Sequence, residues 1–173
     1  TGDGAGETLF RSLIRHNLAQ GKYDKNGFDN LKLLNCRITN IVKCVPPKNK
    51  PIGEEIKNCS FYLKNEIKHM KNLEKILALG KNAFDSILNF YNLSKTGNNF
   101  SHHKKIRLPD NRLLIGSYHC SRYNTNTKRL TNKMFEAPNK YDFRVGHMEA
   151  NMWAFLIKQD ILDKHGNLGP HNK

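Results

Sequence analysis

Acidic side chains are scarce in this sequence. Lys and Arg number 29 against 15 Asp and Glu, a net charge of +14. So little negative charge suits a polyanionic partner, because each phosphate neutralised by the protein releases condensed counterions. The plainer reading is a solvated basic surface that follows from a Lys- and Asn-rich composition. Cysteine is also sparse, and four in 173 residues do not make a secreted disulfide scaffold. No two of them form a CxxC pair. No apolar run reaches membrane-spanning length and no signal peptide is visible, so a cytoplasmic protein with no membrane partner is expected. There is no Walker A motif, no complete G-x-G-x-x-G and no internal repeat. The chain opens at Thr1 rather than Met, as a fragment or a mature form does. What remains is long enough for one domain with a core, and the 38% apolar fraction is low but globular.

The apolar periodicity alternates between two types. Leu9, Phe10, Leu13, Ile14 and Leu18 stand at helical spacing over residues 7–18. Residues 31–45 read as an approach loop and a strand, stopped by Pro46 and Pro47, which cannot donate to a ladder. A helix is predicted over 53–70, with Glu54 and Glu55 near its positive end and a stripe of Ile56, Cys59, Leu63 and Ile67. A strand at 75–79, a helix at 81–91, a polar loop at 94–105, a strand at 113–118 and a short helix at 129–137 follow. Residues 148–162 read as one more helix with Trp153 on its apolar face, and 163–173 as a disordered tail. Strands that alternate with helices predict an α/β fold with a parallel sheet covered on both faces.

Two segments carry the chemistry. The first runs from Arg37 through Asn40, Cys44, Pro46 and Pro47 to Cys59. The second runs from Gly116 through His119 to Thr131. Each starts as an apolar strand and ends in a polar loop, where an open parallel sheet presents its ligands. Asn40 is an amide within a strand, so it needs a hydrogen-bond partner. That partner is either neighbouring backbone or the Watson–Crick edge of an extruded base. His119 follows a buried strand. It is either a satisfied polar group or a donor for a leaving anion, and Ser121, Asn124, Arg122 and Arg129 beside it suit phosphate contacts. Cys44 and Cys59 are either small buried residues or thiolate ligands. Thr1-Gly2-Asp3-Gly4-Ala5-Gly6 lets backbone N–H groups approach an anion ahead of a helix.

These segments resemble the iron–sulfur-containing uracil-DNA glycosylases of family 5. The resemblance covers Thr1 to about Ala137, and residues 138–173 form an unrecognised extension. His119-Cys120-Ser121-Arg122-Tyr123-Asn124-Thr125-Asn126-Thr127-Lys128-Arg129-Leu130-Thr131 is similar to the family's His-Pro-Ser-x-x-Asn-x-x-Thr-Gly-Arg-Leu-Thr. Cys120 replaces proline, which loosens the loop, and Lys128 replaces a glycine, which strains the chain if φ there is positive. Lys43-Cys44-Val45-Pro46-Pro47, continuing through Glu54-Glu55 to Cys59, looks like the segment holding two of the family's four cluster cysteines. Thr39-Asn40 is similar to a Thr-Asn at the family's pocket floor, Thr1–Gly6 to its Thr-Gly-Asp-x-x-Gly, and Phe100-Ser101-His102 to a Phe-Gly-His.

The resemblance implies a three-layer α/β/α sandwich around a short central parallel sheet, with three strands visible and a missing first strand at its centre. It implies a monomer that excises uracil, and other deaminated bases such as hypoxanthine, from single- or double-stranded DNA. His119 is then the donor to the departing base and Asn40 the base reader. Asp3 helps to position water. Ser121, Arg122, Asn124 and Arg129 hold the DNA backbone, and Cys44 and Cys59 supply two ligands of a structural [4Fe–4S] cluster. Two alternatives stay open: a non-catalytic basic DNA-binding domain of the same fold, and an α/β hydrolase of a small phosphorylated substrate.

Overall fold

Residues 76–79 and 113–116 are continuously apolar, the pattern of strands buried on both faces. In the structure, a computed structural model that describes residues 4–26, 28–44, 51–135 and 152–157, both lie inside one sheet. The elements in chain order are α1 (Gly4–Arg15), β1 (Ala19–Gln20), β2 (Lys32–Leu33), β3 (Cys36–Asn40), α2 (Gly53–His69), β4 (Leu73–Leu79), α3 (Lys81–Phe90), β5 (Lys105–Arg107), β6 (Leu113–Ser117), α4 (Arg122–Asn126) and β7 (Met152–Ile157). They divide between two compact units. One holds the described residues up to Asn35 and those from 119 to 135; the other holds Cys36–Tyr118 and β7.

The second unit is built on a five-stranded sheet in the order β3-β7-β4-β6-β5. The first four strands are parallel, while β5 runs antiparallel to β6 along the edge. The expected α/β class therefore holds, but the sheet is mixed rather than wholly parallel. A three-residue strand inside a Lys- and His-rich stretch carries too short an alternation to be read from sequence.

Helix α2 starts with the Glu55 carboxylate accepting the Ile52 N–H at 2.8 Å, so an acidic side chain satisfies one orphan donor of the first turn. Its predicted stripe is the face that packs: Cys59, Leu63 and Ile67 are buried, with Ile56 alongside. Helix α3 is capped by Gly80, whose φ of 104° belongs to the region that glycine alone enters freely. It buries Ala83, Phe84, Ile87 and Leu88. These residues, with Ile76, Ala78 and Leu114 from the sheet, form the core of the unit.

Residues 152–157 correct the expected helix over 148–162. Met-Trp-Ala-Phe-Leu-Ile is a strand between β3 and β4, parallel to both. An unbroken apolar run of six fits a buried strand as well as a helix, and its two aromatics favour the strand. β7 takes an inner place in the sheet, between β3 and β4. The tail at 163–173 lies outside the described residues.

In the first unit α1 buries Leu9, Phe10 and Leu13, with Phe10 stacked on Tyr23 at 4.8 Å. β1 and β2 pair antiparallel, and the Leu34 N–H donates to the Leu18 carbonyl at 2.8 Å. The short helix expected over 129–137 is represented by helical residues 132–135, whereas α4 falls earlier, directly after His119.

Candidate active site

The register of the sheet sets Asn40, Ile157, Leu79 and Ser117 in one row across four parallel strands, at their carboxyl ends. That edge is where open α/β sheets bind ligands. The Gly80 N–H donates to the Ser117 carbonyl at 2.8 Å, which closes the edge between β4 and β6. Just beyond β6, the Tyr118 N–H donates to His102 Nδ1 at 3.2 Å, and the two rings stack at 9°. Gly116 is packed so closely that a Cβ there would stand 2.8 Å from the Ser101 carbonyl oxygen.

Asn40 closes β3 and is half-buried. Its side-chain amide makes no hydrogen bond among the described residues, so the bond to neighbouring backbone, one of its two expected roles, is absent there. Beside it, Thr39 is buried and donates its hydroxyl to Glu66 Oε2 of α2 at 2.5 Å. Lys43 Nζ donates to both Glu66 oxygens at 3.0 Å. Burial by itself would raise the Glu66 carboxyl. The Thr39 hydroxyl and the Lys43 and Arg37 charges outweigh it and hold the group below the usual carboxylate range.

Cys44 is exposed past β3, and Cys59 is buried in α2. The Lys43 N–H donates to Cys59 Sγ at 3.4 Å. Desolvation, then the neighbouring Cys59 sulfur, pushes the Cys44 thiol above its ordinary range. Two neighbouring thiols, with Cys44 made costly to ionise by desolvation and by Cys59, are the donor chemistry that a bound cation relieves. They fit two corners of a thiolate-ligated cluster. Among the described residues no three His, Cys, Asp or Glu side chains converge, so this pair is the whole of the donor set that the structure describes.

His119 is 8% exposed and belongs to the other unit. Asn124 Nδ2 donates to the His119 carbonyl at 2.8 Å, and Ser121 Oγ caps α4 by accepting the Asn124 N–H at 3.4 Å. Ser121 and Asn124, expected at DNA phosphates, thus have structural work in shaping the histidine loop. Arg122 and Arg129 stay exposed. Cys120 is buried, with Sγ donating to the Ala5 carbonyl at 3.4 Å. Where the sequence reading had this residue loosening the loop, the structure gives it an anchor on α1. Lys128 has φ of 54°, so the strain expected at that substitution is present. Asp3 lies outside the described residues.

Sequence reading missed two features. Tyr123 projects from α4 with 72% of its surface exposed, two residues from Ser121 in a loop read only for its polar groups. Glu66 was not singled out. Its signal was available, since it stands seven positions after Cys59 and so on the same face of α2.

The sequence profile of the uracil DNA glycosylase superfamily matches residues 1–141. The chain is 37% identical over 135 residues to a type-5 uracil-DNA glycosylase of Thermus thermophilus, covering 78% of this chain and 61% of that protein. To the type-5 enzyme of Pyrobaculum aerophilum it is 35% identical over 131 residues, covering 76% of this chain and 56% of the relative. The Mycobacterium tuberculosis type-5 enzyme is 33% identical over 138 residues, or 79% of this chain and 52% of that one. The chain therefore spans between about half and three fifths of the length of these relatives.

Proposed function

We propose that this chain, which belongs to the uracil DNA glycosylase superfamily, serves in excision of uracil from DNA by hydrolysis of the N-glycosidic bond. The observation that carries this reading is His119, buried one residue beyond Tyr118 and held through its own carbonyl by Asn124. The target bond is inaccessible within a base stack, so the nucleotide must be extruded. As the bond breaks, positive charge gathers on the sugar and negative charge on the base. A fixed donor at the base oxygen lowers that barrier, typically by about 3 kcal/mol. His119 takes this part. Asn40, whose amide can donate to one base oxygen and accept from the adjacent ring N–H, holds the base edge. Asp3 positions the attacking water.

Arg122 and Arg129 grip phosphates, as the net charge of +14 suits. Tyr123, exposed beside them, offers a ring for an unpaired base to stack on. Cys44 and Cys59 supply two of four ligands to a [4Fe–4S] cluster. When bound, that group would cross-link the end of β3 to α2. The protein works as a monomer on single- or double-stranded DNA, with tolerance for hypoxanthine. The superfamily match weighs against a hydrolase of small phosphorylated substrates.

The test is single-turnover cleavage of a uracil-containing duplex, with alkaline scission reporting abasic sites. Uracil-dependent scission is expected with wild-type protein, and its loss with His119→Ala. An intact protein that binds the duplex and leaves uracil in place would refute the reading.

A further inference from the structure

Helix α2 holds the segment after β3 at two points two turns apart. Cys59 Sγ accepts the Lys43 N–H, and Glu66 takes the Thr39 hydroxyl and the Lys43 ammonium. The Lys43 ammonium also donates to Thr39 Oγ1, which closes a triangle of three side chains. Arg37 adds a longer contact to Glu66 at 3.4 Å. The carboxylate is 22% exposed, so these contacts are shielded in part from water and screened less than a surface pair.

Asn40 lies inside this clamp in sequence, between Thr39 and Lys43. Adjacent side chains of a strand point to opposite faces. With Thr39 committed to Glu66, Asn40 is turned away from α2, and its amide has no competing hydrogen bond among the described residues. Losing the Thr39 contact frees the last residue of β3 to twist, and Asn40 moves with it.

We propose that Glu66 is a positioning residue for Asn40: by gripping Thr39 and Lys43 it sets where the base-reading amide stands. This rests on Asn40 being the base reader. It also means that α2, which carries the buried thiol Cys59, aligns the base-reading strand through a second contact that needs no metal.

A double-mutant cycle in the intact protein tests it, reading single-turnover excision of uracil and affinity for undamaged duplex. Glu66→Ala is expected to slow excision by about tenfold or more, since misplacement on the ångström scale can cost about a hundredfold, with duplex affinity unchanged. In an Asn40→Ala background it should cost nothing further, because it acts through that side chain. Thr39→Val exchanges the hydroxyl for a methyl of similar size and should behave as Glu66→Ala does, which keeps the test valid if the glutamate variant fails to fold. Thr39→Ser should restore the wild-type rate. The proposal is overturned if Glu66→Ala and Thr39→Val cut at the wild-type rate, or if their losses multiply fully with that of Asn40→Ala. An Asn40→Ala protein as fast as wild type would instead sink the reading of Asn40, and the clamp's role with it.

Discussion

Replacing Lys128 with glycine should make this protein more stable. Lys128 follows Thr127, the residue that caps the end of α4, and has φ of 54°; its N–H donates to the Thr125 carbonyl at 3.2 Å. That is the left-handed residue which commonly ends a helix, a place glycine fills without steric cost. A residue with a Cβ loses about 1–2 kcal/mol there. Glycine returns part of the gain, about 0.4–1 kcal/mol, through the extra freedom of the unfolded chain. Lys128 is exposed, so no packing is lost. The net is a stabilisation of about 0.5–1 kcal/mol, which in a chain of this length raises Tm by roughly 1–4 °C. Thermal and urea melts of wild type, Lys128→Gly and Lys128→Ala separate strain from charge, because alanine removes the ammonium and keeps the Cβ. If glycine and alanine melt together, or glycine melts below wild type, the argument from φ is wrong.

Affinity for DNA should fall steeply with salt and depend little on sequence, as net +14 and exposed Arg122 and Arg129 imply; a flat salt titration would contradict this. In the intact protein purified without oxygen, broad visible absorbance is expected, and Cys44→Ser or Cys59→Ser should bleach it; a colourless, iron-free wild type would remove the cluster assignment. His119→Ala should slow single-turnover excision by about a hundredfold or more while duplex affinity barely changes, because the contact strengthens as the base becomes an anion; wild-type cutting would return the histidine to a structural role. Burial, and then the hydrogen bond to Asp110, push the Tyr91 hydroxyl up to about 12. A raised folded value stabilises fully below the unfolded one, near 10, and the contribution is lost as pH climbs from about 10 to 12. Alkaline melts of wild type should therefore drop more steeply over that window than those of Tyr91→Phe, and parallel curves would refute the linkage.

The parts of the fold that the sequence made legible share one physical property: long, one-sided or continuous apolar patterning. The stripe Ile56, Cys59, Leu63, Ile67 is the buried face of α2, and the runs of β4 and β6 are buried strands. The candidate site was legible as residue types that are costly to place, an amide closing a strand and a histidine past one. Short elements were not. α4 is five residues held by Ser121, Thr125 and Thr127 side chains bonding to local backbone, a device indistinguishable from a polar loop in sequence. The Glu66 clamp pairs residues 27 positions apart, a closure that no local pattern announces.

Strand β7 shows why six apolar residues can be read two ways until their neighbours are known. Both β3 and β4 present backbone donors and acceptors along the edges that face each other, and buried groups of this kind are nearly always paired. A strand that pairs along both edges in a parallel sheet calls for an apolar run without polar alternation. Met-Trp-Ala-Phe-Leu-Ile meets that demand, and its register answers β3 and β4 together: Ile157 stands level with Asn40 on one side and Leu79 on the other. The strand that completes the ladder thus also fixes the height at which Asn40 ends β3.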